Sequence, residues 1–234
     1  MSGTPSTEPQ SNEPQTYQHR WIDGKAIDLP VGKVVCVGRN YVEHAKELGN
    51  EVPDSPILFI KPASSLTDIS TPLHLPTGQG EVHHEIEIAL LVKERLHCAD
   101  AMDAQWSMAG YAAALDLTLR DLQNTLKEKG HPWERAKAFD GACPISGFVD
   151  VRGISGKQPL EISLQVNGEM RQQGNNTQML FPIFELIAHI SHVFTLEPGD
   201  IILTGTPKGV AALNSGDVFV AALGNVLRVE GSVA

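Results

Sequence analysis

The chain has 234 residues, 41% of them hydrophobic, which is enough to bury one sizeable core. Its 28 acidic against 18 basic residues give a formal charge of −10 and argue against a general nucleic-acid binder or a polybasic membrane module. No run approaches the ~18 apolar residues of a membrane span, no charged start precedes an apolar stretch, and Cys36, Cys98 and Cys143 form no CxxC pair, so a cytoplasmic protein with reduced thiols is expected.

Residues 1–16 carry no apolar side chain after Met1 and are expected to form a disordered tail, leaving 17–234 as a single domain. An Asp23-Gly24 turn separates short segments able to pair as a hairpin. Lys33–Gly38 (KVVCVG) reads as a β-branched strand ending at glycine. Arg39-Asn40-Tyr41 follows, then a helical segment over Val42–Leu48 closed by Gly49. Ile57–Ile60 is a further short strand, and a Pro- and Gly-rich connection over Thr71–Gly80 leads to Val82–Val92. A helix is expected around Ala101–Met108, then a buried strand from Gly110 whose end carries Asp116. Thr118 with Asp121 reads as a capping-box variant opening a helix over Leu119–Lys129, stopped by Gly130. Arg120 and Gln123, three apart, share one face of that helix. Asn167-Gly168 between Ser163–Val166 and Glu169–Gln172 is the strongest hairpin signal in the chain. Phe181–Val193 has helical periodicity, and the strand Ile201–Leu203 runs into the loop Thr204–Gly209. No repeat of fixed period is present. Strands dominate, with short helices between them.

The chemistry concentrates in Val82–Val92. On a strand, Glu85 and Glu87 point to one face while Ile86 and Ile88 point to the other. Two acids beside a core repel each other and are costly to desolvate, so they call for a cation. Oxygen ligands suit Mg²⁺, Mn²⁺ or Ca²⁺ better than zinc. The plain alternative is an edge strand with one solvated face. His83 and His84 invite zinc, but no Cys or second His pair has suitable spacing, so His84 reads as a core histidine or one that orients Glu85. Arg120 could pair with Asp121 or Glu128 on a solvated helix face. Lys137, flanked by Ala136, Ala138 and Phe139, reads as partly buried.

Gly38-Arg39-Asn40-Tyr41, His83-His84-Glu85-Ile86-Glu87, the stretch from Leu115-Asp116 through Arg120 to Gln123, Trp133-x-x-Ala136-Lys137-x-Phe139-Asp140 and Leu203-Thr204-Gly205-Thr206-Pro207 occur in this order. Together they resemble the fumarylacetoacetate hydrolase family, over nearly everything from residue 17 onward. The likeness is greatest to its small single-domain acylpyruvases and oxaloacetate-acting members. That resemblance implies an α+β fold, a β-rich mixed sandwich or roll of the family's C-terminal-domain type with short helices. It implies Mg²⁺ or Mn²⁺ held by Glu85, Glu87 and Asp116, a catalytic Lys137, and Arg39, Arg120, Gln123 and Thr206 as substrate-binding residues. His44 and Glu47 would act from a helix that closes over the site. A small-molecule 2-oxo acid is the expected substrate and a homodimer the expected assembly, with no nucleic-acid or membrane partner. The leading expectation is Mg²⁺-dependent hydrolysis of the C–C bond of an acylpyruvate. The alternatives are an oxaloacetate tautomerase or decarboxylase and an isomerase or decarboxylase of aromatic degradation. Outside the enzymes stands a metal-dependent binding protein without turnover.

Overall fold

The computed structural model describes residues 17–47, 52–154 and 158–234, with residues 44–46 described in their backbone only. The expected tail over 1–16, Leu48 and Gly49 lie outside the described residues, as does the His44 side chain. In chain order the elements are β1 (Val34–Gly38), α1 (Val42–Glu47), β2 (Ile57–Lys61), β3 (Leu66–Asp68), β4 (Val82–His84) and β5 (Ile86–Val92). Then come α2 (Ala101–Trp106), β6 (Met108–Leu115), β7 (Thr118–Leu119), α3 (Arg120–Glu128), α4 (Glu134–Lys137), β8 (Cys143–Ile145) and β9 (Val149–Asp150). The chain finishes with β10 (Glu161–Val166), β11 (Glu169–Asn175), α5 (Ile183–Val193), β12 (Ile201–Leu203), β13 (Ala211–Ala212), β14 (Val218–Leu223) and β15 (Leu227–Ser232). None of the described helices is long and apolar enough to cross a membrane.

These strands form a mixed large sheet in the order β2-β1-β12-β5-β6-β8-β3, with β9 added at β6. A four-stranded antiparallel sheet, β11-β10-β14-β15, lies against it, and β13-β4-β7 make a small third sheet. The Asn167-Gly168 turn joins β10 to β11 with φ of 53° and 78°, the left-handed pair that a two-residue hairpin loop requires. Along β10 and β14 burial alternates, so Ile162, Leu164 and Val166 on one strand and Phe219, Ala221 and Leu223 on the other face inward. They meet Ile86, Ile88 and Leu90 of β5 in the main core, which α5 closes with Leu186, Ile187 and Ile190.

A second core covers the opposite face of the large sheet and contains Cys36, Ala89, Leu91, Ala112, Ala114 and Leu203 packed with Phe59, Leu66 and Phe148. By the period of two, Glu87 continues the Ala89–Leu91 row and Asp116 continues the Ala112–Ala114 row. The acids therefore stand at the end of this second core, on neighbouring strands that pair Ile86 with Leu115.

Three sequence expectations change. The stretch Val82–Val92 is two strands: β4 pairs with β13 and β7, β5 with β12 and β6, and Glu85 is the joint between them. The helix expected around Ala101–Met108 ends at Trp106, because Met108 pairs with Val92 as the first residue of β6. The capping box is absent. Thr118 pairs with His83 in β7 and turns its hydroxyl to the Asp116 carbonyl at 3.1 Å, while Asp121 accepts from the Glu81 N–H. Sheet pairing has claimed the residue that would have capped α3.

Leu90 is fully buried between the two larger sheets. Leu90→Ala should lower the free energy of unfolding by about 2–5 kcal/mol, the cost of lost transfer plus the cavity left behind, as read from urea denaturation midpoints.

Candidate active site

Glu85, Glu87 and Asp116 each bring one carboxylate oxygen within 4.8 Å of the others, and all three side chains are buried. Glu85 comes from the β4–β5 joint, where its carbonyl accepts from the Asp116 N–H at 2.8 Å. That bond ties the two acid-bearing chain segments together at the backbone.

Three buried cations sit among them. Lys137, at the end of the short α4, donates to Glu85 Oε2 at 2.8 Å and Asp116 Oδ2 at 2.6 Å. Burial would discharge this ammonium, but Asp116 and Glu85 outweigh burial and raise its pKa. Arg120 pairs with Glu85 Oε1 through Nη2 and donates from Nη1 to Gln123 Oε1 at 2.7 Å. Lys61, at the end of β2 and fully buried, stands 2.8 Å from Asp116 Oδ1 and donates to the carbonyls of Ala142, at 3.0 Å, and Lys137. Its approach to Asp116 Oδ1 is off the direction of a hydrogen bond, so that buried oxygen has an ion-pair partner but no hydrogen-bond donor among the described residues.

Glu87 differs from the other two acids. No cation lies at ion-pair distance from it among the described residues, and its Oε2 accepts only the Gly205 N–H, at 2.6 Å. Burial, then Asp116 and Glu85, push its carboxyl well above the usual range. A buried acid without a cation, beside an Asp116 oxygen without a donor, is what a divalent metal ion would satisfy. The donor set is all oxygen, as Mg²⁺ and Mn²⁺ prefer. The residues fit the ion.

The backbone around Glu87 is fixed by close approach. Gly205 has φ of 92°, and a Cβ there would stand 2.7 Å from Asn40 Cβ. Asn40, itself buried, donates to the Thr204 and Phe181 carbonyls at 2.8 and 3.2 Å and accepts from the Phe181 N–H at 2.8 Å. These bonds also hold the preceding Arg39 at φ of 62°, a left-handed conformation that costs a non-glycine residue about 1–2 kcal/mol. Arg39, Arg120, Gln123, Lys137 and Thr206 all line the pocket over the three acids, together with Lys127, Phe59 and Trp133.

Gln172, from β11 of the four-stranded sheet, braces this arrangement. Its Oε1 accepts from the Ile86 N–H at 3.0 Å and from His84 Nδ1 at 2.8 Å. Its Nε2 donates to Thr206 Oγ1 at 2.8 Å and to the Pro207 carbonyl at 2.7 Å. Thr206 in turn donates to the Ile86 carbonyl at 2.8 Å. Because the Ile86 N–H can only donate, Oε1 must face it, and His84 must carry its proton on Nδ1. His84 therefore orients Gln172 and not Glu85. Burial holds the imidazole pKa below its ordinary value.

Glu47 stands exposed on α1, and its carboxylate accepts from the Gly209 N–H at 3.0 and 3.2 Å, tethering the helix to the loop that carries Gly205 and Thr206. The His44 side chain is outside the description. Cys36 and Cys143 are buried beside the acids, and burial pushes the Cys143 thiol up to about 12 and the Cys36 thiol well above its usual value. Neither is a nucleophile in that state.

Residues 33–234 match the family model for the fumarylacetoacetate hydrolase C-terminal domain. The chain belongs to the fumarylacetoacetate hydrolase family. Among relatives of the family, oxaloacetate tautomerase YcgM of Escherichia coli (strain K12) is 51% identical over 202 residues, covering 86% of this chain and 92% of that protein. The crystal structure of a fumarylacetoacetate hydrolase family protein from Yersinia pestis CO92 superposes with a TM-score of 0.91 at 50% identity, covering 93% of this chain and all of that one. Fumarylpyruvate hydrolase from Pseudomonas aeruginosa, solved with Mn²⁺ and pyruvate, gives a TM-score of 0.87 at 33% identity, covering 96% of this chain and 99% of that one. The strand-rich α+β fold is that of the family.

The structure brings together Arg39, Glu85, Glu87, Asp116, Arg120, Gln123, Lys137 and Thr206, while Glu47 contacts the neighbouring loop. Sequence reasoning missed Lys61, Lys127 and Gln172. Lys61 had one local signal, a lysine ending the apolar run Ile57–Ile60, and Gln172 had none.

Gln172→Leu should leave the Ile86 N–H and His84 Nδ1–H without their buried acceptor, at about 1–3 kcal/mol for each group that water cannot reach. A loss of at least about 2 kcal/mol is expected in urea unfolding. A loss below about 0.5 kcal/mol would show that the brace is dispensable.

Proposed function

We propose that this protein is a divalent-cation-dependent oxaloacetate tautomerase, moving a proton between C3 and the neighbouring carbonyl oxygen. One observation carries the reading. Glu85 and Asp116 are already matched by Arg120, Lys137 and Lys61, so only Glu87 awaits a cation. A 2+ ion added there leaves the pocket with surplus positive charge, which suits a dianionic 2-oxo acid. The 51% identical relative named for oxaloacetate supports the same substrate.

Glu85, Glu87 and Asp116 would hold Mg²⁺ or Mn²⁺, and the ion would supply Lewis-acid polarisation of the 2-oxo group. Lys137 would offset the negative charge that develops as C3 loses its proton, from an ammonium that its two carboxylate partners keep charged. Arg39, Arg120, Gln123 and Thr206 would orient the substrate. Proton exchange at C3 would fall to His44, with Glu47, three residues on, as the carboxylate expected to orient it. Glu47 is attached through Gly209 to the Thr206 loop, so movement of α1 and ordering of the pocket would be linked. A cytoplasmic homodimer acting on a small-molecule substrate, without nucleic acid or membrane, completes the proposal.

Acylpyruvate hydrolysis, the leading expectation from sequence, takes second place. Its support is the likeness to fumarylpyruvate hydrolase at 33% identity. Oxaloacetate decarboxylation shares the charge requirement, but the relative with 51% identity is named as a tautomerase.

Purified protein should be given oxaloacetate and acetylpyruvate with Mg²⁺, Mn²⁺ or EDTA, following enol absorbance, CO₂ release and C–C cleavage separately. Enol–keto exchange should be the fastest process, fall to background in EDTA and return with either ion. Faster acetylpyruvate cleavage would hand the site to the hydrolase reading.

Glu87→Gln should abolish the rise in melting temperature produced by Mg²⁺ in the parent protein, since stabilisation by mass action requires the bound ion. An undiminished Mg²⁺ shift would remove Glu87 from the ligand set.

Lys137→Met should slow exchange by on the order of 10² or more, the scale for losing one preorganised donor, and Lys137→Arg should recover only part of it because a planar fork replaces a compact ammonium. Near-parental rates in Lys137→Met would confine the lysine to holding Glu85 and Asp116.

A further inference from the structure

Lys127 is a pocket residue that neither the motifs nor the metal chemistry accounts for. It lies on α3 seven residues beyond Arg120 and four beyond Gln123, so all three share one helical stripe facing the pocket. Trp133, which also lines the pocket, has its ring 5.8 Å from Lys127 Nζ and supports the side chain by a cation–π contact. Among the described residues no carboxylate pairs with Lys127 or with Arg39, though both line the pocket. This is unusual in a chain of net charge −10, where acidic partners are abundant.

The lysine is also under electrostatic pressure. Burial, then the Arg39 and Arg120 guanidiniums, lower its pKa. Glu85 offsets this only in part, and cations crowded together in a half-buried position are relieved by an anionic ligand. The three acids and the ion they would hold account for one end of a 2-oxo acid, its carboxylate and adjoining carbonyl. Lys127 and Arg39 belong to the same pocket but not to the acid cluster.

We infer that Lys127, assisted by Arg39, recognises the second carboxylate of a dicarboxylic 2-oxo acid and thereby sets specificity for dianionic over monoanionic substrates. This rests on the reading given under Proposed function and adds to it a residue and a reason for dicarboxylate selectivity.

The full-length protein with Mg²⁺ should be titrated calorimetrically with pyruvate, which has no distal carboxylate, and with oxaloacetate, which has one. Parental protein, Lys127→Met and Lys127→Arg should be compared, with turnover of oxaloacetate measured in parallel. In Lys127→Met, oxaloacetate affinity should fall about 10- to 100-fold, the value of one charge-assisted hydrogen bond, while pyruvate affinity changes less than threefold. The loss should appear in KM more than in kcat, and Lys127→Arg should recover most of it. Equal losses for both ligands, or none for oxaloacetate, would overturn the inference. If the parental protein binds oxaloacetate more tightly than pyruvate without turning it over, and Lys127→Met erases that preference, the inference stands and the tautomerase reading falls.

Discussion

The constraint on which the rest of the structure depends is the burial of three carboxylates at the end of a sheet. Such a cluster is tolerable only if positive charge is delivered to the same place. The fold delivers it from separate directions: Lys61 from the end of β2, Lys137 from α4 and Arg120 from the start of α3. Glu87 is left with a single backbone N–H, and burial makes its ionised form costly. A site in which two acids are matched and the third is not is prepared for one additional cation.

Positioning follows from the same demand. Glu85 sits where β4 and β5 part into different sheets, so its side chain leaves the regular ladder and can reach both Arg120 and Lys137. A break in a buried strand leaves backbone groups to be satisfied, and Gln172 does this for the Ile86 N–H while also fixing Thr206 and Pro207. The brace arrives from the other sheet, so packing of the two sheets against one another and the shape of the pocket are a single problem. Gly205 shows the same economy of space: only a residue without a side chain fits against Asn40 and still points its N–H at Glu87.

The basic residues around the pocket are opposite in sign to the molecule as a whole. A chain with ten net negative charges presents Arg39, Lys127, Arg120 and Lys137 around one pocket. Local sign and global sign separate because the low-dielectric walls of a cleft let nearby charges dominate. On the function proposed above, a dicarboxylic 2-oxo acid would answer both the cation that the three acids would hold and the basic residues beside it.

The sequence by itself determined what depends on short spacing or on motif. The i, i+3 Arg120–Gln123 pair, the Asn167-Gly168 hairpin and the acid at the end of the Gly110–Leu115 strand are local patterns, and each is found in the fold. The two glutamates also converge, but with Glu85 at the joint of two strands and not on the face of one. Lys137 was legible only because its motif accompanies the others. What the tertiary structure decided involves partners far apart in the chain. Gln172 meets Ile86 across 86 residues, and Lys61 at the end of β2 meets Asp116 at the end of β6, although β1, β12 and β5 lie between those strands in the large sheet. A glutamine in a polar hairpin strand, or a lysine after an apolar run, has the same local appearance whether it is solvated or buried. Thr118 shows the reverse failure, a sound capping signal overridden because its backbone was needed in a sheet. Local propensities are worth tenths of a kcal/mol to about 1 kcal/mol, whereas satisfying a buried charge or N–H is worth more, so the long-range pairings prevail.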